Sequence, residues 1–133
     1  MIVVDTSVWV SILNGQPTRP AQQFTRLLEE GAELALTDIV LTEVLQGLRS
    51  EREVRLVEDR LSDFAILRLE GLQDFRRAAE LYRTARRSGV TVRKTLDVLI
   101  ASPCVRDDVA LLHDDVDFDR LATCTPLRVV PVV

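Results

Sequence analysis

The seven residues His113 to Asp119, HDDVDFD, contain four aspartates, and this density of acids suggests a binding site for a cation. Two carboxylates about 4 Å apart repel each other by about 4 kcal/mol at an effective dielectric constant near 20. The segment directly follows the apolar run Val109 to Leu112, which predicts that it lies just beyond a strand. The aspartates must therefore either point into water or surround a positive charge.

Three acids elsewhere in the chain are candidates for the same site. Asp5 follows the apolar segment 2–4, although as the first residue of Asp-Thr-Ser it also fits an ordinary helix N-cap. Asp97 lies in an otherwise apolar helical segment, where a buried, unpaired carboxylate needs a metal, another cation or a proton. Glu43 lies at the edge of an apolar helical stripe, and by itself it would be an ordinary surface acid.

Short apolar strands alternate with helical segments along the whole chain. The predicted strands are 2–4, 33–37, 65–69, 109–112 and 127–130, and the predicted helices are 8–13, 20–30, 39–48 with Asp38 as its cap, 51–64, 72–88 and 96–105. This alternation predicts an α/β sandwich with a mainly parallel central sheet, formed by residues 1–133 as a single domain. Because such sheets bind ligands beyond the carboxyl ends of their strands, Asp5 and the segment HDDVDFD are expected at the same rim.

The composition excludes several classes of protein. With 47% hydrophobic and 29% charged residues, the chain is an ordinary globular one and not a disordered one. We find no signal-peptide pattern at the start and no apolar run that could span a membrane, so a cytoplasmic protein without a membrane partner is expected. Cys104 and Cys124 lack metal-ligand spacing and are interpreted as buried or inert thiols. Trp9 and Phe118 are expected in the core.

Charge is distributed unevenly along the chain, although the net charge is only -4. Residues 76–94 contain seven basic residues and one acid, whereas residues 107–119 contain six aspartates and no lysine or arginine. Setting those six charges aside turns -4 into +2, a layout typical of a metal-dependent phosphodiesterase. The alternative is that Arg76, Arg83 and Arg87 form only the solvated face of an amphipathic helix.

Four segments resemble the motifs of the PIN-domain ribonucleases and, within that family, of the VapC toxins of bacterial toxin-antitoxin pairs. They are VVDTSVWV, TEVLQGL, VRKTLDVLIAS and LLHDDVDFDRLA, in the order that the family has them, and they span nearly the whole chain. The resemblance implies a PIN-like three-layer sandwich. One departure is Pro103 after Ser102, where family members carry small residues; the proline predicts a kink or an early end of the helix.

The resemblance also implies an acidic active site. The acids it assigns to catalysis are Asp5, Glu43, Asp97 and Asp115. The acids it assigns to the metal are Asp5, Asp97, Asp115 and Asp117, of which Asp117 either coordinates the metal or supports the residues that do. Thr6 and Ser7 would hold this site together by hydrogen bonds. A set of carboxylates and a hydroxyl suits hard Mg²⁺ or Mn²⁺ ions better than zinc.

The implied reaction is the hydrolysis of single-stranded or loop RNA by a metal-activated water, which leaves a 3′-hydroxyl and a 5′-phosphate. Some of the basic residues around the end of the long helix are expected to bind RNA phosphates, namely Arg86, Arg87, Arg93 and Lys94. His113 is interpreted as a residue that positions the loop and not as a general base.

A small VapB-type antitoxin and a homodimer are the partners that the resemblance implies. Three helical segments carry more apolar residues than are needed to cover one face of the sheet. The additional residues could form a groove for an antitoxin helix or could simply fill the core. The residues are Phe24, Leu28, Leu45, Leu48 and Leu56.

Two other classes of function were compared with this interpretation. A phosphoacceptor receiver domain needs a pair of acids after its first strand and an acceptor aspartate after its third, but here Asp-Thr-Ser and Glu70-Gly71 occupy those places. A noncatalytic PIN-fold binding scaffold would be expected to have lost acids, whereas all four are present. An enzyme is therefore the favoured prediction.

Overall fold

A computed structural model describes residues 1–132, with a four-stranded parallel sheet at the centre and helices flanking it. The strands are β1 (Ile2–Val4), β2 (Leu34–Thr37), β3 (Ala65–Leu67) and β4 (Ala110–Leu112). The helices are α1 (Thr6–Leu13), α2 (Arg19–Glu29), α3 (Asp38–Gln46), α4 (Glu51–Leu61), α5 (Gly71–Arg87), α6 (Thr95–Arg106) and α7 (Val116–Cys124). The predicted α/β class with a parallel central sheet is confirmed.

The order of the strands across the sheet is β3-β2-β1-β4. In β1, Ile2 is aligned with Leu34 of β2 on one side and with Ala110 of β4 on the other, and both pairings are parallel. The chain therefore builds the sheet outward from β1 to β3 and then returns to add β4 on the opposite side of β1. This reversal creates a topological switch point between β1 and β4, the place where parallel α/β sheets bind ligands.

The central strands lie in the core because both of their faces are covered. Val3 and Val4 of β1, like Ala35 and Leu36 of β2, have no exposed surface, as expected for a parallel sheet between layers of helices. Trp9 is buried and packs edge-on against an aromatic ring of α2, Phe24, with 5.2 Å between ring centroids. Phe118 of α7 is also buried, so the prediction that both aromatic residues belong to the core is confirmed.

Both cysteines are free thiols. Cys104 is buried, and burial raises the pKa of its thiol to about 12, which leaves the thiol protonated and unreactive at neutral pH. Within residues 1–132, no helix is both long enough and apolar enough to cross a bilayer.

Two elements near the carboxyl terminus differ from the prediction. The strand expected at 127–130 is reduced to a single bridge between Leu111 and Val129, although Leu111 exchanges backbone hydrogen bonds with Arg128 and Val130. Pro131 has no N–H and so cannot extend this ladder. Helix α7, which directly follows the loop after β4, is absent from the predicted elements.

Of the two alternatives predicted at Pro103, a kink and an early helix end, the early end is wrong, since α6 continues through the proline to Arg106. Ser102, Pro103 and Cys104 are all buried, so packing maintains the helix despite the lost hydrogen bond. The predicted cap of α3 is also corrected. Thr37 and not Asp38 is the N-cap, because the Thr37 hydroxyl accepts the N–H of Val40 at 3.0 Å.

Candidate active site

Asp5 lies at the carboxyl end of β1 and is the N-cap of α1. Its Oδ2 atom accepts hydrogen bonds from the backbone N–H of Ser7 at 3.1 Å and from the Ser7 hydroxyl at 2.6 Å. Burial raises the pKa of Asp5, and the hydrogen bonds from Ser7 oppose this effect. The capping interpretation is therefore correct, and it is compatible with a role in the site because the cap lies at the switch point.

The loop between β4 and α7 brings further acids to the same place. The Ser7 hydroxyl accepts the backbone N–H of Asp114 at 3.0 Å, which ties this loop to the first turn of α1. Asp115 is the N-cap of α7, and its Oδ1 atom accepts the N–H of Asp117 at 3.0 Å. The carboxyl ends of β1 and β4 are thus linked by side chains as well as by the sheet.

His113 positions this loop through both of its ring nitrogens. Its Nδ1 atom accepts the backbone N–H of Asp115 at 3.0 Å, so the neutral ring carries its proton on Nε2 and donates it to Asp119, 3.1 Å away. The ring also packs against Phe118, with 5.3 Å between centroids. These contacts agree with the interpretation that His113 positions the loop.

Asp97 reaches the site from the first turn of α6. The residue is only 5% exposed, and its Oδ2 atom is buried without a hydrogen-bond partner among the described residues. Burial, followed by the nearby charges of Asp115 and Asp5, raises the pKa of Asp97 to about 6, although the charge of Lys94 opposes this rise. The ionised form of Asp97 is thus disfavoured in this structure, because burial and nearby negative charges outweigh the effect of Lys94.

Three of the predicted site residues come together as a compact group. Asp97, Asp115 and Asp117 each offer a carboxylate oxygen, and these oxygens lie within 4.8 Å of one another. Asp117 is also buried, and its Oδ1 atom, like Oδ2 of Asp97, has no hydrogen-bond partner in the described part of the chain. Buried carboxylate oxygens that converge on one point without hydrogen-bond donors fit a hard divalent cation.

Glu43 joins the site indirectly. It lies on α3 and is half-buried, and its Oε1 atom accepts a hydrogen bond from the Thr6 hydroxyl at 2.8 Å. Thr6 is the neighbour of Asp5, so the two hydroxyl residues of the Asp-Thr-Ser segment each hold a different acid. Asp5 lies close enough to the compact group for its charge to raise the pKa of Asp97, whereas the recorded contact of Glu43 is with Thr6.

The four predicted RNA-binding residues divide into two pairs. Arg93 and Lys94 precede α6, and Arg93 donates from Nε to Asp117 Oδ2 at 3.0 Å. Arg86 and Arg87 are exposed in the last turn of α5, where Arg86 stacks over the ring of Tyr82 and Arg87 contacts Thr84. The first pair is thus beside the acids, whereas the recorded contacts of the second pair are with their own helix.

One basic residue at the site was missed from the sequence. Arg120 lies three residues after Asp117 on α7, with 3.6 Å between its NH1 atom and Asp117 Oδ1. A spacing of three residues places two side chains on the same face of a helix. Recognising α7 from its sequence would therefore have revealed this contact.

Comparisons with known proteins agree with this arrangement of fold and acids. The sequence model of the PIN domain matches residues 2–123. The chain is 36% identical over 129 residues to Ribonuclease VapC11 of Mycobacterium tuberculosis H37Rv and to VapC ribonuclease Mb1587 of Mycobacterium bovis. Each alignment covers 96% of this chain and 96% of the relative. The chain therefore belongs to the PIN-domain family and, within it, to the VapC ribonucleases.

Solved structures show the same fold at lower sequence identity. The chain superposes with a TM-score of 0.77 on a chain of VapBC2 from Rickettsia felis bound to a DNA fragment from its promoter, with 20% identity and 98% of both chains covered. VapBC-5 from Mycobacterium tuberculosis gives a TM-score of 0.68 at 22% identity, again with 98% of both chains covered. These similarities confirm the PIN-like architecture.

Proposed function

We propose that this protein is a metal-dependent endoribonuclease and the toxin of a type II toxin-antitoxin pair. The observation that carries the proposal is the convergence of Asp97, Asp115 and Asp117 at the switch point, where two of their buried oxygens have no hydrogen-bond partner among the described residues. Such a site binds a hard cation, and relatives of similar length are named as ribonucleases.

The proposed ion is Mg²⁺ or Mn²⁺, held by Asp97, Asp115 and Asp117 with Asp5 alongside. When bound, such an ion polarises a phosphate oxygen and lowers the pKa of a coordinated water. The chain's own residues orient the acids: Ser7 fixes Asp5, and the backbone of the β4–α7 loop is held by His113. We assign Asp5, Glu43, Asp97 and Asp115 to catalysis and Thr6 and Ser7 to their support.

The proposed substrate is RNA, bound on the side of the acids where Arg93 and Lys94 are exposed. Arg86 and Arg87 would extend this basic surface along the end of α5. Because water and not the ribose 2′-hydroxyl is the attacking group, the products would carry a 3′-hydroxyl and a 5′-phosphate.

A cleavage assay on single-stranded RNA tests this proposal. The wild type should cut RNA in Mg²⁺ or Mn²⁺ and not in EDTA, and Asp115→Asn should reduce the rate by at least about 100-fold because it weakens the metal site. Asp114→Asn is the matched control, since Asp114 is an exposed acid of the same loop. Equal rates with and without the ion would contradict the metal dependence, and failure to cut any RNA would contradict the nuclease.

A VapB-type antitoxin is the proposed partner, and two apolar depressions support a docking face. One, of about 240 Å³, lies where Trp9, Phe24 and Leu28 meet the end of α4, and the other, of about 380 Å³, is lined by Leu41 and Leu45. Leu61 and Phe64 contribute to both depressions. An amphipathic antitoxin helix would cover this face, and an antitoxin arginine that reached the acids would compete with the metal.

A homodimer is the other proposed assembly. Leu72 and Phe75 are exposed on α5. Phe75 also lines an apolar groove of about 480 Å³ between α5 and α6. A second copy of the chain is the proposed occupant, because homodimers bury such apolar patches.

A further inference from the structure

Asp117 is a buried carboxylate held between two exposed arginines from different parts of the chain. Arg93, in the segment before α6, donates from Nε to Oδ2 at 3.0 Å. Arg120, on α7, has its NH1 atom 3.6 Å from Oδ1. The side chain of Asp117 is 3% exposed, whereas those of Arg93 and Arg120 are 64% and 57% exposed.

This asymmetry leaves most of the hydrogen-bonding capacity of both guanidinium groups directed to solvent. A guanidinium has five N–H donors in a planar fork, and Arg93 donates only Nε–H to Asp117. The Arg120 contact is longer than a hydrogen bond, so it constrains the position of the arginine without engaging its donors. Exposed forks of this kind suit phosphate oxygens, which arginine binds in bidentate geometry.

We infer that Asp117 is a positioning residue that holds Arg93 and Arg120 as a clamp for one phosphodiester of the substrate, beside the metal-binding carboxylates. The inference rests on the proposed ribonuclease function and adds Arg120 to its binding surface. Since Asp117 belongs to the compact acidic group, the clamp and the metal site share one carboxylate. The clamp would thereby fix the distance between the bound phosphate and the ion.

A competing explanation is that Arg93 only supplies positive charge to the acids when no metal is bound. The pKa of the Arg93 guanidinium is raised by its hydrogen bond to Asp117 and by the nearby acids, which fits either explanation. If Arg93 only replaced the ion, its removal should strengthen Mn²⁺ binding and leave RNA binding unchanged. If Arg93 belongs to a clamp, its removal should weaken RNA binding even without metal.

Salt dependence in EDTA tests the clamp without cleavage or metal. The binding of a fluorescent single-stranded RNA to wild type, Arg93→Gln and Arg120→Gln is measured by anisotropy over a range of KCl concentrations. Each substitution should reduce the slope of log K against log [salt] by about 0.7, the value for one phosphate contact with a single strand. Arg128→Gln is the matched control, since Arg128 is 56% exposed and pairs through Nε with Asp108 at the amino end of β4.

Asp117→Asn separates positioning from net charge. Removal of one negative charge should tighten RNA binding if charge alone matters, whereas loss of the positioning contact should weaken binding several-fold and lower the slope. Slopes equal to wild type in both arginine variants, or tighter RNA binding by Asp117→Asn, would overturn the clamp. If the wild type does not cut RNA at all, the nuclease proposal fails. The salt dependence of binding to single-stranded DNA, measured for the same variants, would then still show whether the two arginines bind a phosphodiester.

Discussion

The hydroxyl of Ser7 donates a hydrogen bond of 2.6 Å to the carboxylate of Asp5 at the start of α1. The same oxygen accepts the backbone N–H of Asp114 at 3.0 Å, so one side chain positions groups that follow β1 and β4. The two strands that border the switch point are therefore connected above the sheet, where the acids converge.

Replacement of Ser7 by alanine should remove this side-chain link, while the pairing of β1 with β4 in the sheet remains. The loss of hydrogen bonds to an acid of the site should lower RNA cleavage about 10- to 100-fold and the free energy of unfolding by about 1 kcal/mol. Ser7→Thr keeps the hydroxyl and should restore much of the rate, and Ser11→Ala provides a control on the same helix. Initial cleavage rates and urea unfolding measure both effects, and a wild-type rate in Ser7→Ala would contradict this role.

Asp97→Asn should stabilise the protein without metal and remove its response to metal. The raised pKa of Asp97, about 6 against an ordinary 3.8, means that its ionised form destabilises the metal-free protein, by on the order of 2 kcal/mol at neutral pH. Thermal unfolding in EDTA should therefore occur at a higher temperature in the variant. Millimolar Mn²⁺ should raise the melting temperature of wild type and of Asp114→Asn but hardly that of Asp97→Asn. Equal shifts in all three proteins would exclude Asp97 from the metal site.

Asp74 should make stability depend on pH far from the site. Burial favours the neutral acid, but the hydrogen bonds from the Glu70 N–H, Arg77 and Arg106 outweigh it and lower the pKa of Asp74. The stabilisation is therefore complete above the ordinary pKa of 3.8 and is lost as the pH falls below it. Asp74→Asn should cost about 2 kcal/mol at pH 7, because two partly buried arginines lose their partner.

Urea unfolding of wild type and Asp74→Asn between pH 7 and pH 3 measures this contribution. The difference between the two proteins should shrink below pH 3.8. Asp59→Asn, a change at an exposed acid of α4, should follow wild type throughout. A difference that stayed constant down to pH 3 would show that Asp74 does not titrate as its contacts predict.

The proposed antitoxin face can be tested with two exposed leucines. Leu28→Glu places a charge in the smaller depression and should weaken antitoxin binding at least about tenfold, whereas Leu56 lines neither depression and Leu56→Glu should bind normally. Calorimetric titration of the purified chain with the product of the neighbouring gene measures both affinities. Inhibition of cleavage by that product should also weaken as Mg²⁺ increases; a nuclease unaffected by the product would contradict the antitoxin assignment.

The proposed dimer should depend on the groove between α5 and α6. Phe75→Glu introduces a charge at its exposed edge and should convert the dimer into a monomer, whereas Leu56→Glu should not. Light scattering after size-exclusion chromatography distinguishes the two states. A wild type that is monomeric at all accessible concentrations would contradict the dimer.

Much of the fold could be predicted because local patterns agree with tertiary structure. The segments of β1 and β2 are short apolar runs that end in helix caps, and a parallel sheet buried on both faces requires such runs. Asp97 could be singled out because an acid within an apolar helix is costly unless something pairs with it. In these cases one stretch of sequence contains the physical reason for the structure.

Contacts between distant residues could not be predicted in this way. Arg106 of α6 forms an ion pair with Asp74 of α5, and no local sequence pattern indicates this pairing. Pro103 would end an isolated helix, but burial against neighbouring elements overrides that tendency. The C-terminal segment has the β-branched residues of a strand, yet Val129 forms only one bridge because Pro131 follows it closely.

The position of β1 in the middle of the sheet also determines when the acids can meet during synthesis. Ile2 is made long before its partner Ala110 in β4, because more than one hundred residues separate the two in the sequence. Pairing between such distant segments is slow to form and depends on the whole intervening chain. A ribosome-bound chain that ends before β4 thus has Asp5 but neither Asp115 nor Asp117, so the carboxylate cluster is completed only after β4 and the start of α7 have been made.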